Sequence, residues 1–253
     1  PGFPEVDMNS VYIGNGASEL ITMSLQSLCN PGDEILPPAP DYPLWTASTA
    51  LAGGTPVHYL LDEANDWNPS LEDIESKITD KTKAIVVINP NNPTGAVFSK
   101  ETLEGIVDIA RRHSLLIFAD EIYDLILYTE APHYNLATLA PDLLVFTFNG
   151  LSKSYRACGY RAGWVVITGP KDHARDFLAG FHLMASMRLC SNVPAQYAIV
   201  AALEGEQDIQ IQTAPGGRLH EQWKTTVDTL DTIPGVSVVV PKGSMYALSL
   251  IHI

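Results

Sequence analysis

The sequence has little of most things that would take a protein outside the ordinary globular class. It carries three cysteines in 253 residues, Cys29, Cys158 and Cys190. They are odd in number, far apart and never spaced Cys-x-x-Cys, which argues against a disulfide framework and a zinc knuckle and suits a reducing cytoplasm. The seven histidines occur singly, without the His-Glu-x-x-His spacing of a zinc-binding helix, so no metal site is expected. Long apolar runs are missing as well. The longest, residues 84–88 and 115–119, fall far short of the roughly 20 residues of a membrane-spanning helix, so no membrane partner is expected. The opening residues, Pro1-Gly-Phe-Pro, show no basic flank followed by an apolar stretch, so no signal peptide is expected. Positive charge is scarce: 15 Lys and Arg stand against 29 Asp and Glu, a formal charge of −14 that repels a phosphate backbone. Nucleic acid is therefore not an expected partner.

What is present is enough to build a full core, with 46% hydrophobic and 17% charged side chains. Segments rich in Val, Ile and Phe alternate with stretches of helical period, the pattern of an α/β fold in which a mostly parallel sheet lies between helices. The spacing predicts strands near 34–37, 55–60, 84–88, 115–119, 143–148 and 163–168, and helices near 17–29, 42–51, 70–78 and 99–113. Ser70 with Asp73 resembles a capping box, and Asn30-Pro-Gly reads as a helix stop. Beyond Pro170 the pattern turns helical, over 171–189, 194–204 and 216–232, before a strand at 236–240. The expected division is a large domain over 1–202, then linking helices and the start of a smaller domain over 203–253. No repeat or flexible linker interrupts the chain.

Four clusters carry candidate chemistry. Asn89-Pro-Asn-Asn-Pro-Thr-Gly95 follows the strand at 84–88, where ligands of open α/β sheets collect, although the same residues also make plain surface turns. Phe118-Ala-Asp-Glu-Ile-Tyr123 sets Asp120 and Glu121 at the end of an apolar strand. One of these carboxylates is expected in the crevice, where it needs a cation or donors; the alternative is an N-cap for a following helix. Asn149-Gly-Leu-Ser-Lys-Ser-Tyr155 places Lys153 in a small, Gly- and Ser-containing strand-end loop, with Arg161 eight positions on as a planar anion fork. In isolation Lys153 reads more readily as a solvated surface lysine, and it is the surrounding context that overturns that reading. Gly14-Asn-Gly-Ala-Ser18 leads into a helix and would offer backbone N–H groups and a hydroxyl to a phosphate. It is neither Gly-x-Gly-x-x-Gly nor a P-loop, which excludes the usual dinucleotide and nucleoside triphosphate signatures.

Taken in order and spacing, the four clusters resemble the class I/II, fold-type I aminotransferases over nearly the whole chain, with a lysine loop similar to that of the bacterial alanine (glutamate–pyruvate) aminotransferases. The resemblance implies a pyridoxal 5′-phosphate (PLP) enzyme of the cytoplasm, a homodimer, moving an amino group between an amino acid such as alanine or glutamate and a 2-oxo acid such as pyruvate or 2-oxoglutarate. It implies that Lys153 forms the Schiff base with the cofactor and then moves a proton, and that Asp120 pairs with the pyridinium nitrogen. Asn92 and Tyr123 would bond the ring O3′, with Asn92 also reaching the substrate carboxylate. Tyr42 would stack on the ring, and Ala17, Ser18, Ser152 and Arg161 would hold the phosphate. Gly150 stands where many relatives have a phosphate-binding Ser, which puts one hydroxyl contact in doubt. The resemblance also implies an N-terminal segment ahead of Pro1 and, after residue 253, a C-terminal domain with a substrate-clamping arginine, so that this chain alone is expected to be inactive. Residues 248–253 depart from the family text and are expected to be an artefact of truncation or sequencing. The competing readings are a PLP-dependent β-lyase on the same scaffold and a PLP-binding chain without catalysis. A nicotinamide dehydrogenase would leave Lys153 without a role.

Overall fold

The computed structural model describes residues 3–130 and 132–251. Among the described residues, twelve strands run in chain order: β1 Val11–Gly14, β2 Glu34–Leu36, β3 Pro38–Ala39, β4 Thr55–Pro56, β5 Tyr59–Asp62, β6 Asn68–Pro69, β7 Thr82–Ile88, β8 Leu116–Asp120, β9 Val145–Gly150, β10 Gly163–Thr168, β11 Val236–Val238 and β12 Ser249–Ile251. The α-helices are α1 Ala17–Leu28, α2 Leu44–Leu51, α3 Leu71–Ser76, α4 Lys100–Arg112, α5 Leu136–Leu139, α6 Arg175–Met187, α7 Val193–Glu204, α8 Asp208–Thr213 and α9 Arg218–Asp231. Among the described residues, no helix is long and apolar enough to cross a membrane.

Seven strands form the main sheet in the order β1-β10-β9-β8-β7-β2-β4. Neighbours from β9 through β8, β7 and β2 to β4 are parallel, while β10 is antiparallel to both β9 and β1. The central strands β7 and β8 read as continuous apolar text because both of their faces are covered. One face packs Leu103, Ile106 and Ala110 of α4 and Leu136 of α5. The other packs Leu20, Ile21 and Leu25 of α1, Trp45 of α2 and Phe181 of α6. Helix α4 shows how the sequence writes such an element. Ser99 accepts the Thr102 N–H as N-cap, Arg111 and Arg112 occupy the last turn, and Leu103, Ile106, Val107 and Ala110 repeat on the buried side.

Three expectations need correction. The predicted strand over 55–60 is two short strands in different sheets, because β5 pairs with β3 and β6 while β4 pairs with β2. The helix predicted from 171 begins at Arg175 after a 3₁₀ turn at Asp172–Ala174. Half of the Ser70 capping box forms: Ser70 accepts from the Asp73 N–H, but Asp73 turns its carboxylate to the Leu60 N–H and Lys77. In the stretch expected to be artefactual, Ser249–Ile251 pair with β11, and residues 252–253 lie outside the described residues, as do Pro1 and Gly2.

Candidate functional site

The strand directions decide where the site lies. Strands β7, β8 and β9 run parallel and end on one rim, β10 runs back from that rim, and β1 ends beside its start. At that rim Gly14, Gly163 and Gly150 pair in a row across β1, β10 and β9. The absence of side chains lets the turn before α1 settle onto the sheet: a Cβ on Gly163 would lie 2.3 Å from the Ala17 amide nitrogen. Position 150 cannot hold a serine without movement, since a Cβ there would lie 2.7 Å from the Ala162 carbonyl and 2.8 Å from the Gly163 Cα. The missing hydroxyl at 150 is thus a consequence of backbone packing.

All nine residues singled out in the sequence line one cavity of about 170 Å³: Ala17, Ser18, Tyr42, Asn92, Asp120, Tyr123, Ser152, Lys153 and Arg161. Ile21, Ile88, Ile122 and Cys158 complete its wall, and none of these four carried a signal in the sequence. The cavity has two electrostatically opposite ends. At one, α1 begins after Gly16, whose φ of 84° lies in the left-handed region, and the N–H groups of its first turn face outward as at any helix start. The Arg161 guanidinium sits against this turn, donating to the Cys158 carbonyl at 2.8 Å and the Asn15 carbonyl at 3.3 Å, with Ser152 Oγ at 3.5 Å. With five N–H donors in all, it retains capacity for an anion. The turn itself is braced, because Glu19 accepts from the Asn15 backbone and side chain and pairs with Arg188 at 3.0 Å.

At the other end, Asp120 is buried at the end of β8. Its Oδ2 accepts from the Trp45 indole N–H at 3.0 Å, and its Oδ1 takes a long 3.4 Å bond from the Ile122 N–H. Burial pushes Asp120 above the ordinary carboxylate value, and the Trp45 and Ile122 donors and the Lys153 charge pull it back. Lys153 lines the same cavity, with its Nζ 5.5 Å from the centroid of the Tyr123 ring. Tyr123 is buried, which raises its phenol, and its hydroxyl donates to the Tyr246 hydroxyl at 3.0 Å. Sequence reasoning gave no role to Tyr246, which reaches this place from the segment after β11.

Two further carboxylates lie outside the cavity wall, Glu121 buried and Asp124 half-buried. Asp124 accepts from Asn149 Nδ2 at 2.8 Å, the Leu125 N–H at 2.9 Å and Ser154 Oγ at 3.3 Å, so it holds both flanks of the Lys153 loop. Burial pushes it up to about 6. Glu121 faces away from the cavity: it accepts from the Leu136 N–H at 3.0 Å and from the Asn135 side chain, at the start of α5. The N-cap of α5 is Asn135, whose side chain accepts from the Ala137 N–H, so neither Asp120 nor Glu121 is an N-cap; Glu121 instead receives the N–H of the first helical residue, Leu136.

Chemically, the cavity brings together an amine, an anion seat and a buried carboxylate, with a partly exposed aromatic ring, Tyr42, in its wall. A ligand bearing a phosphate at one end, a basic aromatic nitrogen at the other and an aldehyde between them matches that donor set. Among the described residues, no group of three or more metal-binding side chains is assembled.

Comparison with known proteins points the same way. The sequence profile of "Aminotransferase class I and II" matches residues 3–252. The chain is 63% identical over 247 residues to an alanine aminotransferase of Mycobacterium tuberculosis, covering 98% of this chain and 58% of that protein. It is 58% identical over 245 residues to the glutamate-pyruvate aminotransferase AlaA of Escherichia coli, covering 97% of this chain and 60% of that one. Among solved structures, an aminotransferase from Escherichia coli superposes with a TM-score of 0.97 at 58% identity, covering 99% of this chain and 62% of its own. An alanine aminotransferase from Pyrococcus furiosus gives 0.93 at 40% identity, with coverages of 98% and 63%. The chain thus spans about three-fifths of the length of these relatives.

Proposed function

The chain belongs to the class I and II aminotransferase family, and from that premise we propose that it carries the cofactor site of a PLP-dependent transaminase acting on alanine or glutamate and a 2-oxo acid. The observation that supports this most is the convergence of Lys153, Asp120 and Arg161 on one cavity from three separate strand ends. The phosphate is assigned to Arg161, the N–H groups at Ala17 and Ser18 and the Ser152 hydroxyl, a helix N-terminus with a cation beside it. Asp120 is assigned to the ring nitrogen, since a buried carboxylate needs a cation and Lys153 is engaged elsewhere. Tyr42 covers the ring face, and Asn92 and Tyr123 face its hydroxyl. When bound, the cofactor supplies an electron-withdrawing ring that accepts charge developing at the substrate Cα. Lys153 would hold the cofactor through its side-chain amine, and that amine, when free, would serve as the base and acid that moves a proton from and to the substrate Cα. Asn92 also orients the substrate carboxylate. We place the boundary of the sheet domain near residue 202, at the end of α7.

The test is chemical. Incubation with PLP, borohydride reduction and peptide mapping are expected to put the label on Lys153. Label spread over surface lysines such as Lys77 and Lys171 would refute the assignment. In the full-length protein, amino transfer from alanine should require an added 2-oxo acid, and turnover without one would replace transamination by a lyase reaction.

A further inference from the structure

The chain contains two wholly or nearly buried indoles that are treated differently. The Trp67 N–H is buried and has no hydrogen-bond partner among the described residues, so a paired indole is not automatic in this core. Trp45 is fully buried and spends its single donor on Asp120 Oδ2 at 3.0 Å. The rings that hold the indole belong to the strands that carry the carboxylate. Phe118, two residues before Asp120 on the same strand face, lies 5.6 Å away centroid to centroid, and Phe148, the cross-strand partner of Asp120, lies 5.4 Å away edge-on. The indole therefore cannot shift without moving the strand ends that fix Asp120. On its other side, the Trp45 backbone N–H donates to the Tyr42 carbonyl at 3.1 Å. One residue is thus bonded to the aromatic side of the cavity and to its acidic end.

We propose that Trp45 is a positioning residue for the cofactor ring: its indole N–H sets the plane of the Asp120 carboxylate toward the ring nitrogen, while its backbone holds Tyr42 in register with that carboxylate. The assignment rests on the proposed place of the pyridine ring between Asp120 and Tyr42. A donor at Oδ2 stops the carboxylate from rotating and leaves Oδ1, with its one long bond to Ile122, as the open acceptor. The same donor favours the ionised carboxylate against the effect of burial, and an ionised carboxylate is what a protonated ring nitrogen requires.

The experiment measures dissociation constants of the 253-residue chain for PLP and for its 1-deaza analogue, in which C–H replaces the ring nitrogen. The proteins are the wild type, Trp45→Phe, and a variant with benzothienylalanine at position 45, which keeps the indole's shape and removes the donor. The expected result is a wild-type preference for PLP, and in both variants a loss of about tenfold for PLP with the analogue unchanged within about twofold. Equal losses for both ligands would show that Trp45 merely fills space, and an unchanged PLP affinity would show that its donor does nothing; either overturns the proposal. Should Trp45→Phe fail to fold, the benzothienylalanine variant carries the test by itself. A wild type that binds both ligands equally would overturn the placement of Asp120 and this inference together, whereas a wild-type preference that survives in the variants would overturn this inference alone.

Discussion

Asp120 and Glu121 are adjacent and both buried, yet they serve two regions on opposite sides of the sheet. Glu121 joins the side packed by α5, where the Asn135 side chain and the Leu136 N–H meet it and His133 Nε2 stands 4.0 Å away. Asp120 joins the side packed by α2, where Trp45 is its one short donor and the cavity with Lys153 lies beyond. The contrast separates two uses of a buried acid. A carboxylate with a short donor on each oxygen ties elements together, while one that keeps an oxygen with only a long bond beside a cavity is available to a ligand.

The comparison breaks most visibly in cofactor affinity. Asp120→Ala is expected to weaken PLP binding by at least about a hundredfold, since removing one side of a buried ion pair costs roughly 3–5 kcal/mol. Glu121→Ala should leave that affinity within about threefold and instead lower the melting temperature, because two donors at the start of α5 lose their acceptor at about 1–3 kcal/mol each. Titration by cofactor absorbance and a thermal melt read the two effects, and equal affinity losses would mean that the ligand-facing carboxylate has been misassigned.

A smaller effect sharpens the same contrast through pH. Burial pushes Glu121 up to about 8, so the folded protein holds a proton that the unfolded chain releases near the ordinary carboxylate value. The stability this provides is complete below about 4.5, the unfolded value, and is lost as pH rises through about 8. Glu121→Gln keeps an acceptor and cannot titrate. Its melting temperature minus that of the wild type should therefore climb between those limits by about 3 °C or more. His133, which stands 4.0 Å from Glu121, is pushed down to about 4 by burial, so in the folded protein it is neutral over most of this range and adds little to the difference. A flat difference would show that Glu121 folds as the anion. The smallest effect is expected from His133→Ala, which strips the Asn89 carbonyl of a partner at 3.1 Å: a few degrees of melting temperature, with PLP affinity within about twofold.

The polar cavity residues were legible where they sit at a strand or helix end in a cluster whose composition is unusual for plain packing: Asn between prolines, an acid ending an apolar run, a lysine among small residues. What supports them was not legible. Trp45 reads as one more apolar residue on the helix at 42–51, and its donor matters because Asp120, far away in sequence, comes to meet it. Asp124 reads as a surface acid until Asn149 and Ser154 close over it. Strand β1 is four residues long and is stabilised by a partner at the other end of the sheet domain, so no local pattern announces it. The two antiparallel pairings of the main sheet escaped for the same reason. Hydrophobic alternation identifies a strand but not its direction.

The β1–β10 pairing has a consequence in time. Val11 meets Val166 and Gly14 meets Gly163, so the turn before α1 is seated by residues made long after it. Contacts between such distant parts of a chain are slow to form, because the intervening loop must be closed before they contribute anything. During synthesis the turn before α1 emerges long before Gly163, so the glycine row that lets the first turn of α1 rest beside Arg161 is incomplete until β10 has left the ribosome. The anion seat is therefore a late product of folding, and a nascent chain that has gained it has already closed the edge of its sheet.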